Sequence, residues 1–166
     1  MSYSIADLNA ISQTDFVAAI GDVFEHTPAI AATVWNHRPF NNVNHLHQTL
    51  VMVMHQLSRA EQLALIQAHP DLGSKAKMAE ASVQEQIGAG LNHLTPDEYE
   101  RFLHLNQAYK DKFGFPFIIA VRHHTKASIL EAFDRRLLNS VAVEMQQALT
   151  EIAEIARFRL LDRVIA

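Results

Sequence analysis

The feature that most limits how this chain can fold is a repeated helix-start signal. Ser58 is followed three residues later by Glu61, Ser82 by Glu85, and Thr95 by Glu98 with Pro96 directly after the threonine. In such a capping box the hydroxyl accepts a hydrogen bond from the backbone N–H three residues on, and the carboxylate reaches back to the first residue's N–H. Pro96 strengthens the third signal, because its fixed φ and missing N–H suit the first helical position. Against these starts the chain sets only five Gly and five Pro in 166 residues. Few turns are available, which favours long helices over many strands.

Periodicity fills in the rest. Residues 4–10 read as a short first helix, and Ser12 or Thr14 caps a second with Phe16, Ala19, Ile20, Val23 and Phe24 at helical spacing. Pro28 opens a helix over 29–35, and residues 38–42 form a loop. Residues 43–57 are helical, with Leu46, Leu50, Val53 or Met54, and Leu57 inward. The helix begun at Ser58 turns Leu63, Leu65 and Ile66 inward and stops near His69, because Pro70 disfavours the α conformation in the residue before it. Ser82 to about Leu91 is the next helix. The one from Thr95 carries Phe102, Leu105, Tyr109 and Phe113 on one face and stops at Gly114. Residues 115–121 are apolar and contain Pro116; a lone strand has no partner here, so they read as a buried extended segment. Thr125 caps a helix to about Leu138, and Asn139 or Ser140 starts a last one to Ile165. The expected fold is all-α: residues 1–166 as a single-domain helical bundle of about seven to nine helices with one short extended segment.

Composition excludes several function classes. There is no Cys, hence no disulfide framework, thiol nucleophile or cysteine-based metal site. A net charge of −4 argues against a general nucleic-acid binder. No run of 18 apolar residues and no charged-then-apolar leader occurs, so no membrane partner is expected and the expected location is cytoplasmic. No Gly-rich phosphate loop, nucleophile elbow or dinucleotide fingerprint is present. Ten His residues raise a metal alternative, with His45, His47, His55, His123 and His124 as candidates. His45 and His47 are two apart and do not share a helix face, and no His-Glu-x-x-His motif occurs, so no metal site is expected.

Chemistry concentrates where a helix ends in His69-Pro70 and the next begins with Ser82-Val83-Gln84-Glu85-Gln86. A histidine at a helix C-terminus meets the negative end of the helix dipole, and a glutamate in a first turn meets the positive end. Brought together, they form an imidazole–carboxylate pair suited to proton transfer near neutral pH. Two further stretches break the local pattern. The last helix carries a stripe of Leu149, Ile152, and Ile155 or Ala156 that continues to Arg159, which puts a guanidinium on the buried face, where it needs an acceptor. Phe117-Ile118-Ile119-Ala120-Val121, extended and without a ladder, leaves buried peptide groups that a polar, urea-like ligand would satisfy.

As a set these stretches resemble a known family. His69-Pro70-Asp71-Leu72, Ser82-x-x-Glu85-Gln86 with Ala89-Gly90-Leu91, Leu105-Asn106-x-Ala108-Tyr109-x-x-Lys112-Phe113-Gly114-Phe115-Pro116-Phe117 and Ile155-Ala156-Arg157-Phe158-Arg159-Leu160 look like OHCU decarboxylase, the 2-oxo-4-hydroxy-4-carboxy-5-ureidoimidazoline decarboxylase of urate breakdown. Phe24-Glu25-His26-Thr27-Pro28 resembles that family's N-terminal signature. The resemblance implies an all-helical homodimer that uses no metal or organic cofactor and yields (S)-allantoin and carbon dioxide from a small-molecule ureide. It implies that His69 is the general acid/base and Glu85 its carboxylate partner, with Pro70, residues 82–86, residues 117–121 and Arg159 lining the ligand site. The segment 73–78 departs from the family pattern. The competing reading is a helical ureide-binding or scaffold module without turnover, in which His69 and Glu85 only punctuate helices.

Overall fold

Helix boundaries follow the caps in all but one of the signalled places. A computed structural model describes residues 2–73 and 80–165. Among these residues there are nine α-helices: α1 (Ile5–Ala10), α2 (Gln13–Ile20), α3 (Ala29–Val34), α4 (Val43–Gln56), α5 (Arg59–Gln67), α6 (Glu80–Gly88), α7 (Pro96–Phe113), α8 (Lys126–Arg136) and α9 (Val141–Leu161). Short 3-10 turns occupy Gly21–Val23, Trp35–His37 and Val121–His123. Ser58 with Glu61 and Thr95 with Glu98 form complete capping boxes, and Pro96 sits in the first turn of α7. Ser4 with Asp7 and Thr125 with Ser128 form two more. Ser12 rather than Thr14 caps α2. Gly114 ends α7 at φ 80°, the left-handed conformation that only glycine adopts without strain.

Three expectations are corrected. The Val23 and Phe24 positions lie beyond α2, in and after the 3-10 turn, although both side chains are buried. The last helix ends at Leu161, and Val164–Ile165 (β2) pairs in parallel with Tyr3–Ser4 (β1), so the chain's end is extended rather than helical. β-branched Val164 and Ile165 follow a turn at Asp162 and Arg163, and paired backbone outweighs one more helical turn there. Ser82 is not an N-cap. It lies inside α6, which already includes Glu80 and Ala81, so the Ser82–Glu85 spacing is a pair on one helix face rather than a box. Glu80 and Ala81 are good helix formers and give the chain no reason to wait for Ser82. The segment 73–78 that departs from the family pattern falls, apart from Gly73, outside the described residues.

The residues gather into two compact units, Met1–Ala68 with Ala153–Ala166, and His69–Ile152. In the first, α3 packs against both α2 and α4 around Leu8, Phe16, Ile20, Ile30, Leu50 and Met54, all fully buried. Each such side chain contributes about 1.5–3 kcal/mol on removal from water. In the second, α7 and α8 pack together around Phe102, Tyr109 and Phe133. The Tyr109 ring lies 4.4 Å from Phe113, 5.3 Å from Phe117 and 6.4 Å from Phe133, an aromatic cluster in tilted and edge-on contacts. No described helix is long and apolar enough to cross a membrane.

The boxes carry a pH dependence. The Ser4, Ser58 and Thr95 backbone N–H groups hold the carboxyls of Asp7, Glu61 and Glu98 below their ordinary values of 3.8, 4.5 and 4.5. A depressed carboxylate contributes stability that is present above its ordinary value and lost as pH falls through its folded one. The denaturation midpoint should therefore decline from about pH 5 towards pH 3. A triple Asp7→Asn, Glu61→Gln, Glu98→Gln variant should show a shallower decline in urea titrations; an unchanged slope contradicts the assignment.

Candidate active site

His69 follows the C-cap of α5 at Ala68 and is buried, with Pro70 half-buried behind it. The three residues that follow are each tied down. Asp71 Oδ2 accepts from Lys110 Nζ at 2.7 Å, the Leu72 carbonyl accepts from Asn106 Nδ2 at 2.8 Å, and the Gly73 N–H donates to Gln86 Oε1 at 3.0 Å. Two of these partners stand one turn apart on α7, and the third is on α6. Gly73 has φ +68°, a conformation that favours glycine, and a Cβ there would stand 2.8 Å from Leu94 Cδ1, so the tip of that side chain would also have to move. The stretch after His69 is thus tethered to α6 and α7 at three consecutive residues.

On α6, Ser82 and Gln86 are buried one turn apart, Val83 and Glu85 are half-buried, and Gln84 is exposed. The helix closes with the Leu91 N–H on the Gln86 carbonyl at 2.9 Å and Gly90 at φ +81°. α6 packs against the 3-10 turn at Val121–His123, which continues the extended segment. Phe117, Ile118, Ile119, Ala120 and Val121 are all buried. Among the described residues the only ladder is β1 with β2, so this segment has none, as expected. Its Ile118 carbonyl accepts from Arg136 Nη1 at 2.6 Å. His69, Pro70, residues 82–86 and residues 117–121 therefore all lie within the second unit.

Arg159 belongs to the first unit and is buried there, as its place in the stripe requires. Its Nη2 stands 3.0 Å from Glu25 Oε2, and its Nη1 donates to the Asp22 carbonyl at 3.3 Å. Glu25 is 1% exposed, so the guanidinium neutralises a carboxylate that has left water. Three of the five metal-candidate histidines have partners within the fold. His45 Nδ1 accepts from the Asn41 N–H at 3.0 Å, His47 Nε2 stands 2.9 Å from the Ala153 carbonyl, and His124 Nδ1 stands 3.0 Å from Ser128 Oγ. Among the described residues no three His, Asp or Glu side chains converge on one point as metal ligands would.

The largest omission of the sequence reading is a buried polar network in the second unit. Glu144 has no exposed surface. Its Oε1 accepts from Tyr109 Oη at 2.6 Å and Arg136 Nε at 2.8 Å, and its Oε2 accepts from Asn139 Nδ2 at 2.9 Å. Burial, then the Glu144 hydrogen bond, push the Tyr109 phenol far above its usual range, so it remains a donor. The stripe argument that exposes Arg159 would have found this network too. Arg136 continues Ile129, Ala132 and Phe133, and Glu144 precedes Ala148 and Ile152 on the buried face of α9. Asn106 likewise lies between Phe102 and Tyr109 on α7.

A buried histidine on a tethered loop, a half-buried carboxylate on the next helix and a buried extended segment outside any ladder thus lie in one unit of a mostly helical protein. Comparison with known proteins makes the class specific. The model of the OHCU decarboxylase family matches residues 9–161, and the chain belongs to that family. It is 41% identical to a 2-oxo-4-hydroxy-4-carboxy-5-ureidoimidazoline decarboxylase of Halalkalicoccus jeotgali, over 95% of this chain and 89% of that protein. It is 44% identical to a uric acid degradation bifunctional protein of Bacillus subtilis, over 96% of this chain but only 32% of that protein. A crystal structure of (S)-allantoin synthase superposes with a TM-score of 0.80 at 28% identity, covering 98% of this chain and 54% of that one.

Removing one member of a buried ion pair strands the other and costs about 3–5 kcal/mol. Glu25→Ala should therefore lower the unfolding free energy in urea by about that amount, and Glu25→Leu with Arg159→Met should recover most of it. A loss below about 1 kcal/mol in the single variant would mean that the pair is solvated.

Proposed function

We propose that this chain is a carboxy-lyase that converts 2-oxo-4-hydroxy-4-carboxy-5-ureidoimidazoline to (S)-allantoin and carbon dioxide. The observation that carries the reading is the family match along residues 9–161. The substrate carries its carboxylate on a ring carbon that also bears a hydroxyl, and the neighbouring ureido-bearing carbon is doubly bonded to nitrogen. As carbon dioxide leaves, the pair of the broken C–C bond forms a double bond between the two ring carbons, and the C=N pair moves onto nitrogen, which takes up a proton. The hydroxyl then loses its proton to become the ring carbonyl, and the ureido-bearing carbon gains one. Its single chiral centre is created in that last transfer. The substrate's own C=N accepts the electrons, so the reaction needs no metal or organic cofactor to serve as the sink.

In this reading His69 moves the proton between hydroxyl and carbon, and Glu85 orients His69 or binds a ring or ureido N–H. Pro70 and residues 82–86 wall the site, and peptide groups of residues 117–121 hold the ureido arm. What supports these roles is burial of His69 on a loop with three consecutive tethers and burial of a segment outside any ladder. Arg159 is kept as a substrate-binding residue on the family likeness alone; within its own unit its guanidinium is paired with Glu25. The reading also takes the chain to work as one domain in the cytoplasm and, on the family likeness, as a homodimer.

Circular dichroism of freshly generated substrate tests the reading. Wild-type protein should give rapid appearance of one allantoin enantiomer. His69→Ala should be slower by roughly 100- to 10,000-fold and should leave racemic product from the spontaneous decay. Wild-type protein that leaves that racemic decay unchanged sinks the decarboxylase reading and favours a ureide-binding module without turnover.

A further inference from the structure

Buried carboxylates need a cation, but the cation opposite Glu144 is arranged to do more than neutralise it. A guanidinium that serves a carboxylate alone sets two parallel N–H groups on its two oxygens. Arg136 instead gives Glu144 only Nε, at 2.8 Å to Oε1, while Oε2 is taken by Asn139. It spends Nη1 on the Ile118 carbonyl at 2.6 Å. Its Nη2, also buried, has no hydrogen-bond partner among the described residues. The guanidinium carbon stands 4.3 Å from the centre of the Phe117 ring, which also stacks on Phe133 with centroids 3.7 Å apart. One side chain thus fixes both the ring of Phe117 and the carbonyl of Ile118. These are the first two residues of the segment 117–121, whose remaining peptide groups have no ladder to hold them.

We propose that Arg136, locked by Glu144, is a positioning residue that sets the orientation of the Ile119–Val121 peptide groups and through them the pose of the ureido arm. The inference rests on the decarboxylase reading for its substrate but not for its geometry. Fixing the Ile118 carbonyl fixes the peptide plane joining Ile118 to Ile119, and hence the direction of the Ile119 N–H. With ψ of Ala120 at 96° and the 3-10 turn closing at Val121–His123, the segment is anchored at both ends, by Arg136 and by the turn that packs on α6. A lysine at 136 keeps the charge opposite Glu144, but a single ammonium lacks the planar fork that reaches two acceptors in fixed directions.

The experiment uses the full chain as wild type, Arg136→Lys and, as a control for lost stability, Ile20→Val in the core of the first unit. Two readouts are taken. Amide hydrogen exchange without ligand should show faster exchange at residues 119–121 in Arg136→Lys and wild-type rates there in Ile20→Val. Steady-state kinetics should show Arg136→Lys with KM raised about tenfold, kcat changed less, and a reduced excess of one allantoin enantiomer at saturating enzyme; the factor corresponds to about one charge-assisted hydrogen bond. Ile20→Val should keep the wild-type KM and enantiomeric excess. Unchanged exchange at 119–121 in a folded Arg136→Lys overturns the inference, whatever the activity. Faster exchange with wild-type KM and enantiomeric excess also overturns it, because the segment would then not hold the substrate. If the wild type itself gives no enantiomeric excess, the decarboxylase reading fails, and the exchange data still decide whether Arg136 fixes the segment. If Arg136→Lys does not fold, Glu144→Gln is the substitute, since it loosens Arg136 and should move the same two readouts.

Discussion

A carboxylate without exposed surface has to be answered from inside the protein, and the answer to Glu144 organises the second unit. Its three donors come from α7 (Tyr109), α8 (Arg136) and the turn between α8 and α9 (Asn139), and the arginine extends the chain of contacts to the extended segment at Ile118. The network does not add greatly to net stability, because desolvating both charges offsets most of their attraction. What it supplies is definiteness. Each element must occupy one place for the carboxylate to be fully met, and losing any partner leaves a buried charge short. Tyr109 also sits in the aromatic cluster with Phe113, Phe117 and Phe133, so the polar network and the apolar packing constrain the same helices.

A decarboxylase of this kind needs little chemistry from its protein and much positioning, since the substrate carries its own electron sink. In the proposed reading two stretches do that positioning. The loop from His69 is tethered at Asp71, Leu72 and Gly73, and the segment 117–121, which has no ladder, is held at its Ile118 carbonyl by Arg136. Lys110 and Asp71 are partly exposed, so that tether alone is worth at most about 1 kcal/mol; the buried Asn106 and Gln86 bonds are the firmer ones. In the first unit, Arg159 and Glu25 repeat the pattern of a buried pair with a backbone carbonyl as the third member.

Much of this was legible in the residues. Caps at Ser58, Thr95 and Thr125, the stop at Gly114, the buried Arg159 and the unladdered segment all follow from local rules, and the local rules hold where nothing competes with them. The Ser82 box failed because Ser-x-x-Glu is also the spacing of neighbours on a helix face, and the helix-forming residues before it let α6 start earlier. The parallel pairing of Tyr3–Ser4 with Val164–Ile165 was out of reach, since two-residue strands at opposite ends of a chain carry no periodicity. Partners were harder than positions. The stripe on α9 shows that Arg159 is buried, but nothing local names Glu25 as its acceptor, and the link from Glu144 through Arg136 to Ile118 joins residues on separate elements.

In the proposed reading the α6 face and the segment 117–121 form one binding site for a ureide. The most direct test is a titration of the nitrogen-15-labelled protein with (S)-allantoin, following backbone amides by NMR. Saturable shifts are expected at Ile119, Ala120 and Val121 and on α6 around Glu85, with weaker response to the (R) enantiomer. Shifts absent from both stretches, or equal for the two enantiomers, would contradict it.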